Sequence, residues 1–138
     1  MKVIVSACLL GERCKYNGGS TESERVKAFL VGKDVIPVCP EVLAGLGVPR
    51  VPIEIVDGEV IDRNGRSVDG VIRSAVDEIV RGLDPCEIEC AILKSRSPTC
   101  GVKEIYDGSF SGVLIPGMGV LAEALTKQGI RVIDSEDV

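Results

Sequence analysis

Histidine and tryptophan are absent from this 138-residue chain, and Tyr16, Phe29, Tyr106 and Phe110 are its only aromatic residues. Without histidine, the commonest metal ligand and the usual general base at neutral pH are both missing. Chemistry must then fall to Cys, Glu, Asp, Lys, Ser or a cofactor. No apolar run is long enough to span a membrane, and the opening MKVIVSACLL is broken too soon by Gly11, Glu12 and Arg13 to read as a signal peptide. A cytoplasmic protein is expected. Positive charge is also short: 16 Lys and Arg against 21 Asp and Glu leave a net charge of −5. Binding a long polyanion needs clustered cations, so a small-molecule partner is favoured over nucleic acid. G-x-G-x-x-G and Walker patterns are missing, which leaves nucleotide-cofactor binding without support. Low-complexity tracts, repeats and linkers are missing too, so one domain over residues 1–138 is expected. The sequence carries no signal for a particular oligomeric state.

What is present is aliphatic. The apolar residues are nearly all Val, Ile, Leu and Ala, the composition of buried parallel strands covered by helices. Strands are predicted over 2–7, 34–38, 89–94 and 129–134, the second weakened by Pro37. Helices are predicted over 21–30, with Thr21 and Glu24 spaced as a capping box, over 68–83, where Val68, Val71, Ile72, Ala75, Val76, Ile79, Val80 and Leu83 recur at three and four positions, and over 119–128. The alternating stretch IEIV-DG-EVID predicts a β-hairpin excursion near 53–62 turning at Asp57-Gly58. Strands alternating with helices imply an α/β fold: a single-domain, three-layer open sheet, mostly parallel and Rossmann-like.

Parallel strands point their carboxyl ends to one edge, where open α/β sheets bind ligands. Cys8, Cys39 and Cys100 each fall at or just beyond the end of a different predicted strand, so the topology gathers three thiols there. Several uses compete for such a trio. A structural zinc site wants four closed ligands, usually from CxxC pairs, and there is no CxxC. A thiol-only site would need a low-pKa cysteine and a resolving partner, which Cys8 and Cys14 supply by position. A [4Fe–4S] cube on three thiolates leaves one iron open as a Lewis acid. Buried cysteines acting as small core hydrophobes suit Cys86 and Cys90 best. Glu41, two residues from Cys39, is placed either as a general base or as an acid at the start of a short helix. Ser97 reads as a proton relay or as an ordinary turn residue before Pro98. Lys15, Arg50, Lys94 and Arg96 sit in or beside the loops of that edge.

The stretches Val5-Ser6-Ala7-Cys8-Leu9-Leu10-Gly11, Cys14-Lys15-Tyr16-Asn17-Gly18-Gly19, Val38-Cys39-Pro40-Glu41 and Leu93-Lys94-Ser95-Arg96-Ser97-Pro98-Thr99-Cys100-Gly101, followed by Ile105-Tyr106-Asp107-Gly108, resemble the domain of unknown function 523 family, which includes the thiouracil desulfidases. The resemblance runs over essentially the whole chain. It implies a [4Fe–4S] cluster on Cys8, Cys39 and Cys100 with one iron not ligated by protein, Glu41 as catalytic acid/base and Ser97 as its catalytic partner. It further implies removal of sulfur from a thiolated pyrimidine, 2- or 4-thiouracil or the nucleoside, by non-redox hydrolysis of C=S to uracil and hydrosulfide. The chain departs from the family in having Asn17 where Asp is common and Thr99 where Ser is usual. The alternative is a non-catalytic iron–sulfur or zinc-binding sulfur-carrier or redox module. Such a module would have no need of Glu41.

Overall fold

The computed structural model describes residues 1–138. Its centre is a four-stranded parallel sheet of β1 (Lys2–Ser6), β2 (Asp34–Val38), β5 (Ile88–Leu93) and β8 (Val132–Asp134), ordered β2-β1-β5-β8. Between β2 and β5 lie a short helix α2 (Pro40–Leu43), an antiparallel hairpin of β3 (Ile53–Val56) and β4 (Glu59–Asp62), and helix α3 (Asp69–Arg81). After β5 come a second small hairpin, β6 (Glu104–Tyr106) with β7 (Leu114–Pro116), and helix α4 (Val120–Lys127). Helix α1 (Glu24–Leu30) links β1 to β2.

Alternation along the strands divides the core in two. Val3 and Val5 of β1 pack with Cys90 and Ile92 of β5 beneath Val26 and Leu30 of α1. Ile4, Ala91 and Leu93 point to the other face, against Ile72 and Val76 of α3 and Leu121 and Leu125 of α4. The central strands β1 and β5 are buried on both faces, which explains their unbroken aliphatic runs. Each fully buried Ile or Leu here contributes about 1.5–3 kcal/mol. None of the helices is long and apolar enough to cross a membrane.

Local chemistry explains most element boundaries. Pro37 is accommodated because β2 is an edge strand, with one side free of ladder bonds. The first hairpin turns at Asp57 (φ 49°) and Gly58 (φ 81°), the paired positive angles of a two-residue turn. Three expectations need correction. Helix α1 starts later than its predicted capping box, because Ser23 and not Thr21 is the N-cap, its hydroxyl accepting from Val26 N at 3.3 Å. Thr21 is instead held by its own N–H to Cys8 O at 3.1 Å, which keeps it outside the helix. Val71 lies 46% exposed on the outer face of α3, leaving Ile72, Ala75 and Val76 to make the buried stripe. The β6–β7 hairpin was not expected at all.

From β1 the chain passes outward to β2, then recrosses to β5 on the opposite side of β1 and continues to β8. Connections therefore diverge between β1 and β5, and the crevice beyond the carboxyl ends of those two strands is the topological switch point. The segments that follow them are Ala7–Leu10 and the loop 94–101.

Candidate functional site

A cavity of about 480 Å³ opens at this switch point, lined among others by Cys8, Cys14, Glu41, Arg50, Ser97, Thr99 and Cys100. Cys8 stands in a 3-10 turn (Ala7–Leu10) directly after β1, ended by Gly11 at φ 98°. Cys39 is the residue between β2 and α2, with Pro40 in the first helical position behind it. Cys100 closes a loop fixed from several sides. Ser97 Oγ accepts from both Thr99 N and Cys100 N at 3.1 Å, and Leu121 N of α4 donates to Thr99 O at 2.8 Å. Gly119 has to be glycine for this docking, since a Cβ there would sit 2.5 Å from the Thr99 carbonyl carbon. Ser6 Oγ accepts from Lys94 N at 2.9 Å and ties the ends of β1 and β5 together.

The thiols are near neighbours. Cys39 Sγ donates to Cys14 O at 3.9 Å. Burial raises the Cys8 thiol and Cys39 pushes it the same way, while Thr21 and Lys94 oppose the shift. Cys14 is pushed up to about 12 by burial, then by Cys39 and Cys8. Cys100 is likewise pushed up to about 12 by burial, with a hydrogen bond from Ser6 working in the opposite sense. Such thiols give up their protons when a cation compensates the buried charge.

Glu41 opens the first turn of α2 and lines the cavity. Arg50 Nε and Nη2 donate to Glu41 Oε1 at 3.2 and 3.0 Å, and Thr99 Oγ1 donates to Oε2 at 3.0 Å. Arg50, its side chain only 6% exposed, also donates to Cys14 O at 2.8 Å and to Gly47 O at 3.0 Å. One guanidinium thus joins the Cys14 loop, α2 and the segment before β3. Ser97 Oγ lies 3.0 Å from Thr99 Oγ1. With the Thr99 hydrogen committed to Glu41, Ser97 is the donor of that pair, and a hydroxyl chain runs from Ser97 through Thr99 to the carboxylate.

The structure brings Cys8, Cys100, Glu41 and Ser97 to the cavity wall; Cys39 is outside the lining, close to Cys8 and Cys14. Lys15, Lys94 and Arg96 line the cavity as well, and Arg63 joins them from beyond β4. Arg96 is engaged by Glu104 and Glu136, whereas Lys15, Arg63 and Lys94 form no ion pair. Burial lowers Lys94, the charge of Cys8 opposing it. Cys86 is exposed and Cys90 is buried in the core under α1, both away from the cavity lining. Sequence reasoning missed the specific link from Arg50 to Glu41 and the bridging part of Thr99. Nothing in the spacing of these residues signals either.

A thiol-lined cavity at the switch point of a parallel α/β sheet defines the class. The sequence profile of the 2-thiouracil desulfurase family matches residues 3–137, and the chain belongs to that family. It is 33% identical over 146 residues to an uncharacterized protein, YbbK, of Bacillus subtilis (strain 168), an alignment covering 99% of this chain and 97% of that one. It is also similar to the solved structure of a [4Fe-4S]-dependent thiouracil desulfidase, TudS, with a TM-score of 0.91 and 34% identity over 99% of this chain and 92% of the other.

The residues present fit a thiolate-ligated cluster. The donors are all sulfur, as iron–sulfur clusters require. No three Cys, Asp or Glu side chains lie close enough to share a single metal ion. Thr21 Oγ1, buried beside the Cys8 sulfur, has no conventional hydrogen-bond partner, a donor left over for a thiolate.

Proposed function

We propose that this protein, acting as one domain over residues 1–138, is a [4Fe–4S]-dependent desulfidase that converts a thiolated pyrimidine, 2- or 4-thiouracil or its nucleoside, to uracil and hydrosulfide. The observation that supports this reading is the meeting of two strand-end thiols, Cys8 and Cys100, with Glu41 and Ser97 at one cavity on the switch-point edge, with Cys39 beside the Cys14 loop. In this reading Cys8, Cys39 and Cys100 hold the cluster and one iron keeps no protein ligand. That iron, when bound, supplies Lewis acidity toward a thiocarbonyl sulfur.

The remaining work falls to the chain's own groups. Arg50 and Thr99 hold the Glu41 carboxylate from its two oxygens, so that it is fixed before substrate arrives. Glu41 accepts a proton from the attacking water as general base. The water oxygen bonds to the C=S carbon, the C–S bond breaks, and the sulfur takes the proton held by Glu41 and leaves as hydrosulfide, returning Glu41 to its carboxylate. The second water proton is lost as the carbonyl forms, and carbon is neither oxidised nor reduced. Ser97 and Thr99 extend a hydroxyl path from Glu41 Oε2 along the cavity wall. Lys15, Arg63 and Lys94 concentrate positive charge there, which offsets a thiolate-bound cluster and favours substrates bearing negative charge. A cytoplasmic setting suits six free cysteines, since thiols stay reduced there.

Anaerobic reconstitution followed by incubation with 4-thiouracil tests the reading. Loss of the near-ultraviolet thiocarbonyl band should match released sulfide one for one. A cluster-loaded protein that releases no sulfide is instead a carrier or redox module.

A further inference from the structure

Tyr16, Tyr106 and Phe110 all line the cavity, which leaves Phe29 as the single aromatic residue elsewhere. Phe29 lies under the Lys33 ammonium, 4.4 Å from ring centroid to Nζ, on the α1 side of the sheet. The core is built from Val, Ile, Leu and Ala, so aromatic rings are not this protein's packing material. Their concentration around one cavity calls for a reason that belongs to the cavity.

The loop carrying Phe110 is fastened with unusual care. Glu54 of β3, 8% exposed, spends one carboxylate oxygen on two backbone donors of that loop, Gly108 N at 3.0 Å and Phe110 N at 3.1 Å. Gly108 lies so close against β3 that a Cβ would stand 2.7 Å from Ile55 O, and its φ of 94° excludes other residues as well. Phe110 itself takes a φ of 56°, a left-handed conformation that is a genuine outlier for a bulky side chain. Backbone strain of this kind persists where the surroundings over-determine it, and here Glu54 and the Gly108 contact do so.

We infer that Tyr106 and Phe110 form a stacking wall for the flat ring of the substrate, with Glu54 as the positioning residue that holds Phe110 against the cavity. The inference rests on the desulfidase reading for its site and adds the substrate property that the wall selects: a planar heteroaromatic thione over a non-aromatic one such as thiourea. Stacking on an aromatic face tolerates different ring substituents, so the wall recognises the ring and leaves discrimination among substituents to the polar groups.

Uracil, the product, provides a probe that is not turned over. Its binding to the cluster-loaded protein is measured anaerobically by equilibrium dialysis, alongside sulfide release from 2-thiouracil and from thiourea. In Phe110→Ala, uracil should bind about tenfold or more weakly, the effect of removing an aromatic platform from under a base. The preference in kcat/KM for 2-thiouracil over thiourea should fall by a similar factor, mostly through KM. Phe110→Trp should restore both. Glu54→Ala should reproduce the Phe110→Ala pattern, and Glu54→Gln, whose amide oxygen can accept the same two N–H groups, should rescue it. Uracil affinity within twofold of wild type in a folded, cluster-loaded Phe110→Ala protein overturns the inference. So does equal loss for thiourea and 2-thiouracil. If wild type binds uracil and loses it in Phe110→Ala, yet releases no sulfide from either thione, the wall stands and the desulfidase reading is the part that fails.

Discussion

Replacing Arg50 by Met keeps a side chain of similar length and apolar stem while removing every bond of the guanidinium. Glu41, 14% exposed, loses both Arg50 donors on Oε1, and the carbonyls of Cys14 and Gly47 lose theirs. Breaking a buried ion pair by removing one partner costs about 3–5 kcal/mol, because the remaining charge is left uncompensated. For a chain of this length such a loss lowers the midpoint of thermal unfolding by roughly 10–20 °C. Urea unfolding of the reduced, metal-free protein reads the effect without contributions from bound iron. Much of the loss should depend on Glu41. In the Glu41→Gln background, Arg50→Met should be milder by about 1.5–3 kcal/mol, the range for hydrogen bonds to a charged group. A coupling below about 0.5 kcal/mol would mean that Arg50 acts through the two carbonyls alone, and the clamp on Glu41 would have to be abandoned.

Four further outcomes follow. Glu41→Gln should retain cluster absorbance and slow sulfide release by about 10²–10⁴-fold, the usual range for a general acid–base, and unchanged turnover would remove Glu41 from that role. In metal-free protein Cys100, its thiol near 12 against an ordinary 9.0, should alkylate about 10³-fold more slowly than exposed Cys86 at pH 8, as mass spectrometry of iodoacetamide-treated samples can resolve. The same shift means that the folded protein holds this proton longer than the unfolded chain does, so its contribution to stability is complete below about pH 9 and fades as pH rises toward 12. With Lys15, Arg63 and Lys94 unpaired in the cavity, a thiopyrimidine nucleoside 5′-phosphate should show a lower KM than the free base, the gap narrowing as salt rises, and equal KM values at low salt would contradict the charge argument.

The sheet and the placement of the thiols were readable because each signal was local. A β-branched run that stops at Cys8, Val38 leading into Cys39-Pro40, and an aliphatic strand leading into the loop before Cys100 each announce a strand end, and parallel topology supplies the convergence. The Asp57-Gly58 turn was equally self-contained. Thr21 misled because a capping pattern competes with other uses of the same hydroxyl residue, and here its backbone is claimed by the turn carrying Cys8. Val71 fits the apolar period of α3 but falls just outside the stripe that the sheet covers. The β6–β7 hairpin hides in a stretch of short strands and Gly and Ser residues with weak alternation. Most of the polar site was illegible for a different reason. The Glu41–Thr99 bond spans 58 residues and that from Glu54 to Phe110 spans 56, and no periodicity reports such pairings before the chain is folded.

Cys14 bears most directly on the proposed cluster, because its buried thiol stands beside Cys8 and Cys39. Mössbauer spectroscopy of protein reconstituted with iron-57, recorded for wild type and Cys14→Ala with and without 2-thiouracil, interrogates each iron separately. Three cysteine-bound irons and one free of protein should give a three-to-one pattern, with the minor component alone responding to 2-thiouracil and unchanged in Cys14→Ala. Four equivalent irons indifferent to substrate, or a minor component that alters when Cys14 is removed, would contradict the assignment.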